Sequence, residues 1–269
     1  MALESQPSPP PSAHHQALAR HAWSIIGGKP VVRAYHHDEI EGLSIDLLEI
    51  RDQPEEGLVS YSTLGLFESE LRHDDGEPMK TRIELCADMP DDLQQWANVM
   101  ATAAFTLMRS GQAVRPGSVL RDCVAEYYPK STTPHLYLCV PFSWNDGEFP
   151  RVEFDAYMVN WLQVFPISQA EFDYIEKHGG EAFEDEIWRV RTTEAPLPIS
   201  IEKTRWPLGC AMVKPRPIDA VTTTSWPARR SSGMKALNCS TLAIRLRCDS
   251  AAPFDKPVVP PVYCRNSRS

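Results

Sequence analysis

Two stretches of sequence decide the fold: residues 58–66, which read LVSYSTLGL, and residues 81–85, which read TRIEL. The first is rich in the β-branched and aromatic residues that strands favour, and it reaches a turn at Gly65. The second alternates polar and apolar residues, so that Arg82 and Glu84 share one face. Together they predict a β-hairpin that displays a few polar side chains.

The hydroxyl groups of Ser60, Ser62 and Thr63 stand close together on the first of these strands. No nucleophile motif of the G-x-S-x-G or S-x-x-K type surrounds them. We therefore expect these hydroxyls to pair with the neighbouring strand, and we predict no catalytic residue among them.

The charged pair on the second strand has two interpretations. In the structural one, Arg82 and Glu84 bridge to each other, or to Asp46 and Glu49 on a neighbouring strand, and help to fix the register. In the functional one, the pair faces a partner protein. The structural interpretation is favoured, and both remain open.

Helical and extended patterns follow one another along residues 13–190. The predicted elements are a helix over 13–26 ended by Gly27-Gly28, strands over 31–35, 44–50, 58–67 and 79–87, a helix that Asp91-Asp92 opens and Gly111 closes, an edge-like segment at 118–120, strands over 136–142 and within 152–165, a helix opened by a capping box of Ser168 and Glu171, and a short helix over 181–190. This order predicts an α+β fold, in which helices cover a curved mixed sheet.

Charge divides the chain into two parts. Residues 1–191 carry 31 acidic and 15 basic side chains, whereas residues 192–269 carry 5 acidic and 12 basic ones. An acidic body excludes nucleic acid as the expected partner, because phosphate binding needs clustered Lys and Arg. It suits a basic protein partner, although acidity also serves solubility alone. No stretch is apolar enough for a membrane and no signal peptide is present, so a cytoplasmic location is expected.

Composition also sets the predicted domain boundaries. Residues 1–12 are rich in Pro and Ser and predict a disordered leader, followed by one folded domain over 13–205. Residues 206–269 form a basic tail rich in Pro, Ser and Arg, for which we expect disordered or irregular structure. Residues 199–206 are a possible closing strand of the folded domain.

The histidines of the chain are the best candidates for metal ligands. The segment 36–39 reads HHDE, and imidazole and carboxylate groups bind zinc or iron. However, adjacent histidines on an extended segment point to opposite sides, so a solvated turn is the favoured interpretation. His14 and His15 fall next to the leader and are expected to be unstructured. We predict no metal and no cofactor.

Aromatic residues in loops are candidates for partner contacts. Tyr127, Tyr128, Trp144 and Phe149 lie where no periodicity explains their burial. Aromatic residues are enriched among the residues that dominate protein-binding energy. The alternative is that these loops fold back over the sheet and bury the rings.

Three elements resemble the bacterial type of the suppressor of fused-like domain family. They are the run 61–66 (YSTLGL), the later Arg82 with Glu84-Leu85, and the segment 162–168 (LQVFPIS), which leads into Glu171. The resemblance covers roughly residues 20–190, and the long basic tail departs from the family pattern.

This resemblance implies a non-enzymatic, protein-binding domain. Animal members of the family sequester a transcription factor, and bacterial members are immunity proteins of polymorphic toxin systems, a toxin–antitoxin arrangement. We therefore expect an immunity protein whose partner is a basic toxin domain, with neither nucleic acid nor membrane as a partner. The alternatives are a small metal-dependent hydrolase and a regulatory binding domain outside any toxin system. The candidate partner-binding residues are Tyr61, Thr63, Arg82, Glu84, Tyr127, Tyr128 and Trp144.

Overall fold

The computed structural model of the chain describes residues 11–192 and, further along, residues 237–238 and 246–249. In the described residues the α-helices are α1 (Ala13–Ile26), α2 (Trp96–Ser110), α3 (Gln169–His178) and α4 (Gly180–Thr192), and short 3-10 turns lie at Leu66–Glu68 and Asn145–Gly147. The strands are β1 (Pro30–His37), β2 (Ser44–Arg51), β3 (Leu58–Leu64), β4 (Thr81–Pro90), β5 (Val119–Arg121), β6 (His135–Cys139), β7 (Val152–Glu153), β8 (Met158–Ile167), β9 (Leu237–Asn238) and β10 (Leu246–Asp249).

The strands form one mixed sheet in the order β10-β1-β2-β3-β4-β8-β6-β5-β9, and β7 pairs with β8. Strands β1 to β4 are antiparallel neighbours, which confirms the predicted hairpin of β3 and β4. Strand β8 lies parallel to β4, and a connection that contains α2, β5 and β6 separates the two in sequence. The predicted α+β fold, with helices packed on a mixed sheet, is confirmed.

Each face of the sheet is covered by a helix of its own. On β4, Ile83 and Leu85 point into the larger core, which they share with the buried face of α2. The next residue of the opposite parity, Cys86, points into a second core, where Leu18 of α1 packs with Trp161 of β8. Alternation along the strands thus distributes apolar residues to both faces, and neither face of the central strands is exposed to water.

The predicted boundaries are confirmed for α1 and wrong for the start of α2. Helix α1 ends at Gly27, which has a φ of 83°, a backbone conformation that favours glycine. Helix α2 begins at Trp96, five residues after Asp91. The N–H of Asp91 bonds to the carbonyl of Gly57 at 2.9 Å, and the N–H of Leu93 bonds to that of Pro90 at 3.1 Å. These bonds keep the two aspartates in a turn before the helix.

The capping box that opens α3 is confirmed. The N–H of Ser168 donates to the Glu171 carboxylate at 2.6 Å, and the Ser168 hydroxyl accepts from the Glu171 N–H at 3.3 Å. Helix α3 then runs to His178 and ends at Gly179, as its sequence predicts. Its start therefore follows from local hydrogen bonding alone.

The prediction that His14 and His15 are unstructured is wrong. Both lie in the first turn of α1, where the His14 ring packs on Phe154 with a centroid distance of 4.1 Å. Its Nδ1 atom is 2.7 Å from the hydroxyl of Tyr157. The contacts come from a loop more than 130 residues away, so the local sequence gave no signal for them.

Most of the predicted tail lies outside the described residues. This holds for the possible strand over 199–206 and for the domain boundary at residue 205. Within the tail, β9 pairs with β5 and β10 pairs with β1, at the two edges of the sheet.

Candidate functional site

Every residue of β3 is buried, although the strand contains four hydroxyl groups, those of Ser60, Tyr61, Ser62 and Thr63. The Ser60 hydroxyl accepts a hydrogen bond from the indole N–H of Trp144 at 2.8 Å and donates one to the carbonyl of Gln53 at 2.7 Å. The Ser62 hydroxyl accepts from the indole N–H of Trp161 at 3.0 Å. Two tryptophans from other parts of the chain therefore bond to the hydroxyls of this strand.

The hydroxyls of β3 begin a row of polar side chains that crosses the sheet through β4, and a second group continues this row toward β8. The amide nitrogen of Gln163 donates to Asp88 at 2.8 Å and lies 2.6 Å from the Ser143 hydroxyl. Ser143 also donates to Asp88 at 2.7 Å, and the amide oxygen of Gln163 accepts from the N–H of Phe142 at 2.8 Å. These bonds hold the loop that follows β6 against the sheet.

Glu84 is the most deeply placed charged residue of this row, with an exposed fraction of 0%. Its carboxylate accepts from the backbone N–H groups of Gly65 at 2.8 Å and Phe67 at 3.2 Å, and from the hydroxyl of Thr63. Burial raises the pKa of Glu84 from 4.5 to about 7, and these hydrogen bonds oppose the rise. In the described structure Glu84 forms no ion pair.

Thr63 marks the point at which β3 leaves β4. The ladder between the strands ends at the pair of Ser62 and Cys86. Beyond it, the N–H of Leu85 donates to the Thr63 hydroxyl at 2.7 Å instead of to a backbone carbonyl. The chain then turns at Gly65, whose φ of 123° is strained for any residue with a Cβ atom. The YSTLGL and R-x-E-L elements thus meet in one buried cluster around Glu84.

The expected bridges of Arg82 and Glu84 do not form. Arg82 pairs with Glu70 at 3.5 Å and lies over the ring of Tyr157 at 5.9 Å. Glu49, one of the two partners expected on the neighbouring strand, is paired with Arg33 of β1. Arg82 and Glu84 have different environments because Arg82 lies beyond the end of the ladder with β3 and is partly exposed, whereas the turn after β3 closes over Glu84.

Four of the predicted partner-binding residues are buried: Tyr61, Thr63, Glu84 and Trp144 have exposed fractions of 6%, 0%, 0% and 4%. The Trp144 loop folds back over the sheet, the alternative that its sequence left open. In this structure these four side chains offer no surface to a partner.

Tyr127 and Tyr128 are half-buried and lie beside α2. The Tyr127 hydroxyl is 2.8 Å from the hydroxyl of Thr102, and the Tyr128 hydroxyl accepts from the N–H of Gln95 at 2.8 Å. Burial raises the pKa of both phenols. Nearby acids raise the pKa further, Glu126 for Tyr127 and Asp92 for Tyr128.

We define the tyrosine surface as Tyr127, Tyr128, Asp91, Asp92 and Glu126. Asp91 and Asp92 are exposed, and the other three are partly exposed. The surface combines two aromatic rings with three carboxylates. Apolar rings surrounded by negative charge suit contact with a basic protein.

Of the solvated turn expected over 36–39, Asp38 and Glu39 are exposed, whereas His36 and His37 belong to β1. His37 is buried against Phe105, and its Nδ1 atom accepts from the N–H groups of Glu39 at 3.1 Å and Ile40 at 3.3 Å. Burial is the largest cause of its lowered pKa. In the described part of the chain, no three His, Cys, Asp or Glu side chains are grouped to hold a metal ion. None of the helices described is long and apolar enough to cross a membrane.

The family model described as Suppressor of fused protein (SUFU) matches residues 37–200, more than half of the chain. The chain belongs to the suppressor of fused family. It is 35% identical over 172 residues to the Immunity protein YqcF of Bacillus subtilis (strain 168), covering 64% of this chain and 88% of that protein. The residues that the family model matches include the cluster around Glu84.

Two solved structures are among those similar to this chain. A putative SUFU homolog from Neisseria gonorrhoeae is 14% identical with a TM-score of 0.48, covering 68% of this chain and 93% of that one. Drosophila Suppressor of Fused is 13% identical with a TM-score of 0.39, covering 54% of this chain and 38% of that one.

Sequence reasoning missed several of the buried polar side chains that continue the row from β3 across β4 to β8. Asp88 and Gln163 were not singled out, although Glu84, Cys86 and Asp88 alternate with apolar residues on β4. That alternation was the available signal for a polar line along one face. It does not distinguish a buried line from an exposed one, because that depends on the loop that carries Trp144.

Proposed function

We propose that this chain is an immunity protein that neutralises a cognate toxin by binding it directly, without catalysis. The observation that carries the proposal is its likeness to Immunity protein YqcF, which extends over most of that protein. Membership of the suppressor of fused family supports a protein-binding role. The cytoplasmic location stays a prediction.

Charge supports a basic toxin domain as the partner. The excess of acidic side chains over residues 1–191 gives the folded part a negative field, which accelerates encounter with a positively charged protein. Such attraction is screened by salt, since the Debye length is about 8 Å at physiological ionic strength. The affinity should therefore fall as the salt concentration rises.

We further propose that the tyrosine surface contacts the toxin. Its two rings are half-buried and held by hydrogen bonds, so that little side-chain entropy is lost when a partner covers them. Asp91 and Asp92 supply exposed charge beside the rings. Of the other predicted contact residues, Arg82 is partly exposed, and it remains a candidate at the opposite end of β4.

The test is isothermal titration calorimetry of the full chain with the toxic domain encoded beside it. The double variant Asp91→Lys/Asp92→Lys should weaken binding by about tenfold or more, because it places like charge against a basic surface. Asp155→Lys is the matched control: it reverses one exposed charge in the loop that packs with α1, and it should leave binding within about twofold.

Each outcome has a defined meaning. Equal binding by the wild type and the double variant would refute the tyrosine surface while leaving the immunity function in place. No binding by the wild type would contradict the immunity function and favour a regulatory domain outside any toxin system. Metal bound to the purified chain would favour the hydrolase alternative.

A further inference from the structure

Glu84 lies in an environment whose consequences do not depend on the proposed function. The carboxyl group has no access to solvent, and its hydrogen-bond donors are one hydroxyl and the backbone of one turn. None of these donors carries a charge, and no Lys or Arg side chain pairs with Glu84 in the described residues. An ionised carboxylate without a cation is costly in such a place, whereas the neutral acid is not.

The hydrogen bonds around Thr63 fit both protonation states of Glu84. With the carboxylate ionised, the Thr63 hydroxyl donates to Oε2 and accepts from the N–H of Leu85 at 2.7 Å. With the acid neutral, Oε2–H donates to Thr63, and the Thr63 hydroxyl is free to donate to the carbonyl of Leu85 at 3.3 Å. In both states Oε1 accepts from the N–H groups of Gly65 and Phe67. Both protonation states can therefore be hydrogen-bonded with the side chains in the same places.

The titratable groups packed around this turn are few. From α1, the His15 ring packs on Phe67 at 5.0 Å, and its Nδ1 atom is 3.8 Å from Glu68. From β2, Asp46 lies opposite Leu64, the residue that follows Thr63. Charged groups elsewhere on β4 are Arg82 and Asp88, and β8 presents the neutral Trp161 opposite Glu84. Desolvation outweighs the hydrogen bonds and raises the pKa of Glu84 to about 7.

We propose that Glu84 is a proton-binding group buried in the folded protein, and that Thr63 reverses its hydrogen bond when the proton leaves. The proton is then a ligand of the folded state, held where the two signature elements of the family meet. It links the stability of the fold to pH, because the Glu84 carboxyl group binds its proton more tightly in the folded protein than in the unfolded one.

The test is a titration of the full chain, with its glutamate side-chain carboxyl carbons labelled with ¹³C, followed by NMR between about pH 4 and about pH 9. Glu84→Gln identifies the Glu84 resonance by its loss. The proposal expects one glutamate with a midpoint near 7. A midpoint at or below the ordinary value of 4.5 for every glutamate that disappears in the variant would overturn it.

A pair of Thr63 variants tests the role of the hydroxyl, and it also identifies the resonance if Glu84→Gln does not fold. Thr63→Val removes a hydrogen bond that lowers the Glu84 pKa, so the high midpoint should move upward. Thr63→Ser keeps the hydroxyl and should leave the midpoint in place. Identical midpoints in both variants would refute the exchange of donor and acceptor between Thr63 and Glu84.

Discussion

Thr63→Val removes one hydroxyl group from the centre of the buried cluster and changes little else in volume. The hydroxyl serves two groups that have no access to water: it bonds the Glu84 carboxyl, and it accepts from the N–H of Leu85 at 2.7 Å. A valine methyl at this position bonds to neither. Both groups remain buried, because β3 and the turn after it still cover them.

The expected fall in the free energy of unfolding follows from the number of buried polar groups that the substitution leaves unpaired. A buried polar group that loses its partner costs about 1–3 kcal/mol, so two such groups predict a fall of about 2–6 kcal/mol in the free energy of unfolding. Thr63→Ser keeps the hydroxyl and loses one methyl group, which predicts a fall of about 1 kcal/mol. The difference between the two variants isolates the hydrogen bonds from the packing.

Urea unfolding of the wild type and both variants, followed by circular dichroism at one fixed pH, measures these quantities. The slope of the free energy against urea should be the same for all three proteins, since the folded structure and the exposed area are unchanged. If Thr63→Val is as stable as Thr63→Ser, the cluster does not depend on the hydroxyl, and the reasoning fails.

Three further predictions concern the same cluster. Between about pH 4.5 and about pH 7 the free energy of unfolding of the wild type should fall by about 3 kcal/mol more than that of Glu84→Gln. A folded-state pKa raised to about 7 stabilises the fold at low pH, and this contribution is lost as the pH rises. Urea unfolding at a series of pH values measures the difference, and parallel stability curves for the two proteins would contradict it. Gly65→Ala should lower stability by about 1–3 kcal/mol in thermal unfolding, since φ is 123° and the new Cβ lies 3.2 Å from His15; an unchanged melting temperature would show that the turn is unstrained. Trp161→Phe and Ser62→Ala, which break one bond of 3.0 Å, should show a coupling of about 1 kcal/mol in a double-mutant cycle, and strict additivity would argue against that bond.

Local patterns in the sequence predicted much of the fold. The prediction of helix α1 is correct because its apolar periodicity and its C-terminal glycine are both local features of the sequence. The prediction of the capping box at Ser168 is correct for the same reason. The start of α2 was missed because the bond from Asp91 to Gly57 joins residues that are far apart in sequence. The propensity of aspartate for helix starts does not include that competing bond.

The candidate site was harder to predict, since burial depends on the whole chain. The motifs select Thr63 and Glu84 as candidate partner contacts beside the favoured structural interpretation, and they do not predict the burial of these residues, because polar side chains on a strand are usually exposed. The loop that carries Trp144 and the helix α1 cover that face of the sheet. Tyr127 and Tyr128 lie beside exposed charge, as does Arg82 beside Glu70, and contact of these three residues with a partner stays a prediction.

The central claim, direct neutralisation of a toxin, is tested most directly by adding the purified full chain to the purified toxic domain encoded beside it and measuring the activity of that domain. The account predicts that toxin activity falls in proportion to the added chain and is abolished at a one-to-one ratio, and that Asp91→Lys/Asp92→Lys requires a large excess to reach the same inhibition. Full toxin activity in the presence of a large excess of the wild-type chain would contradict it.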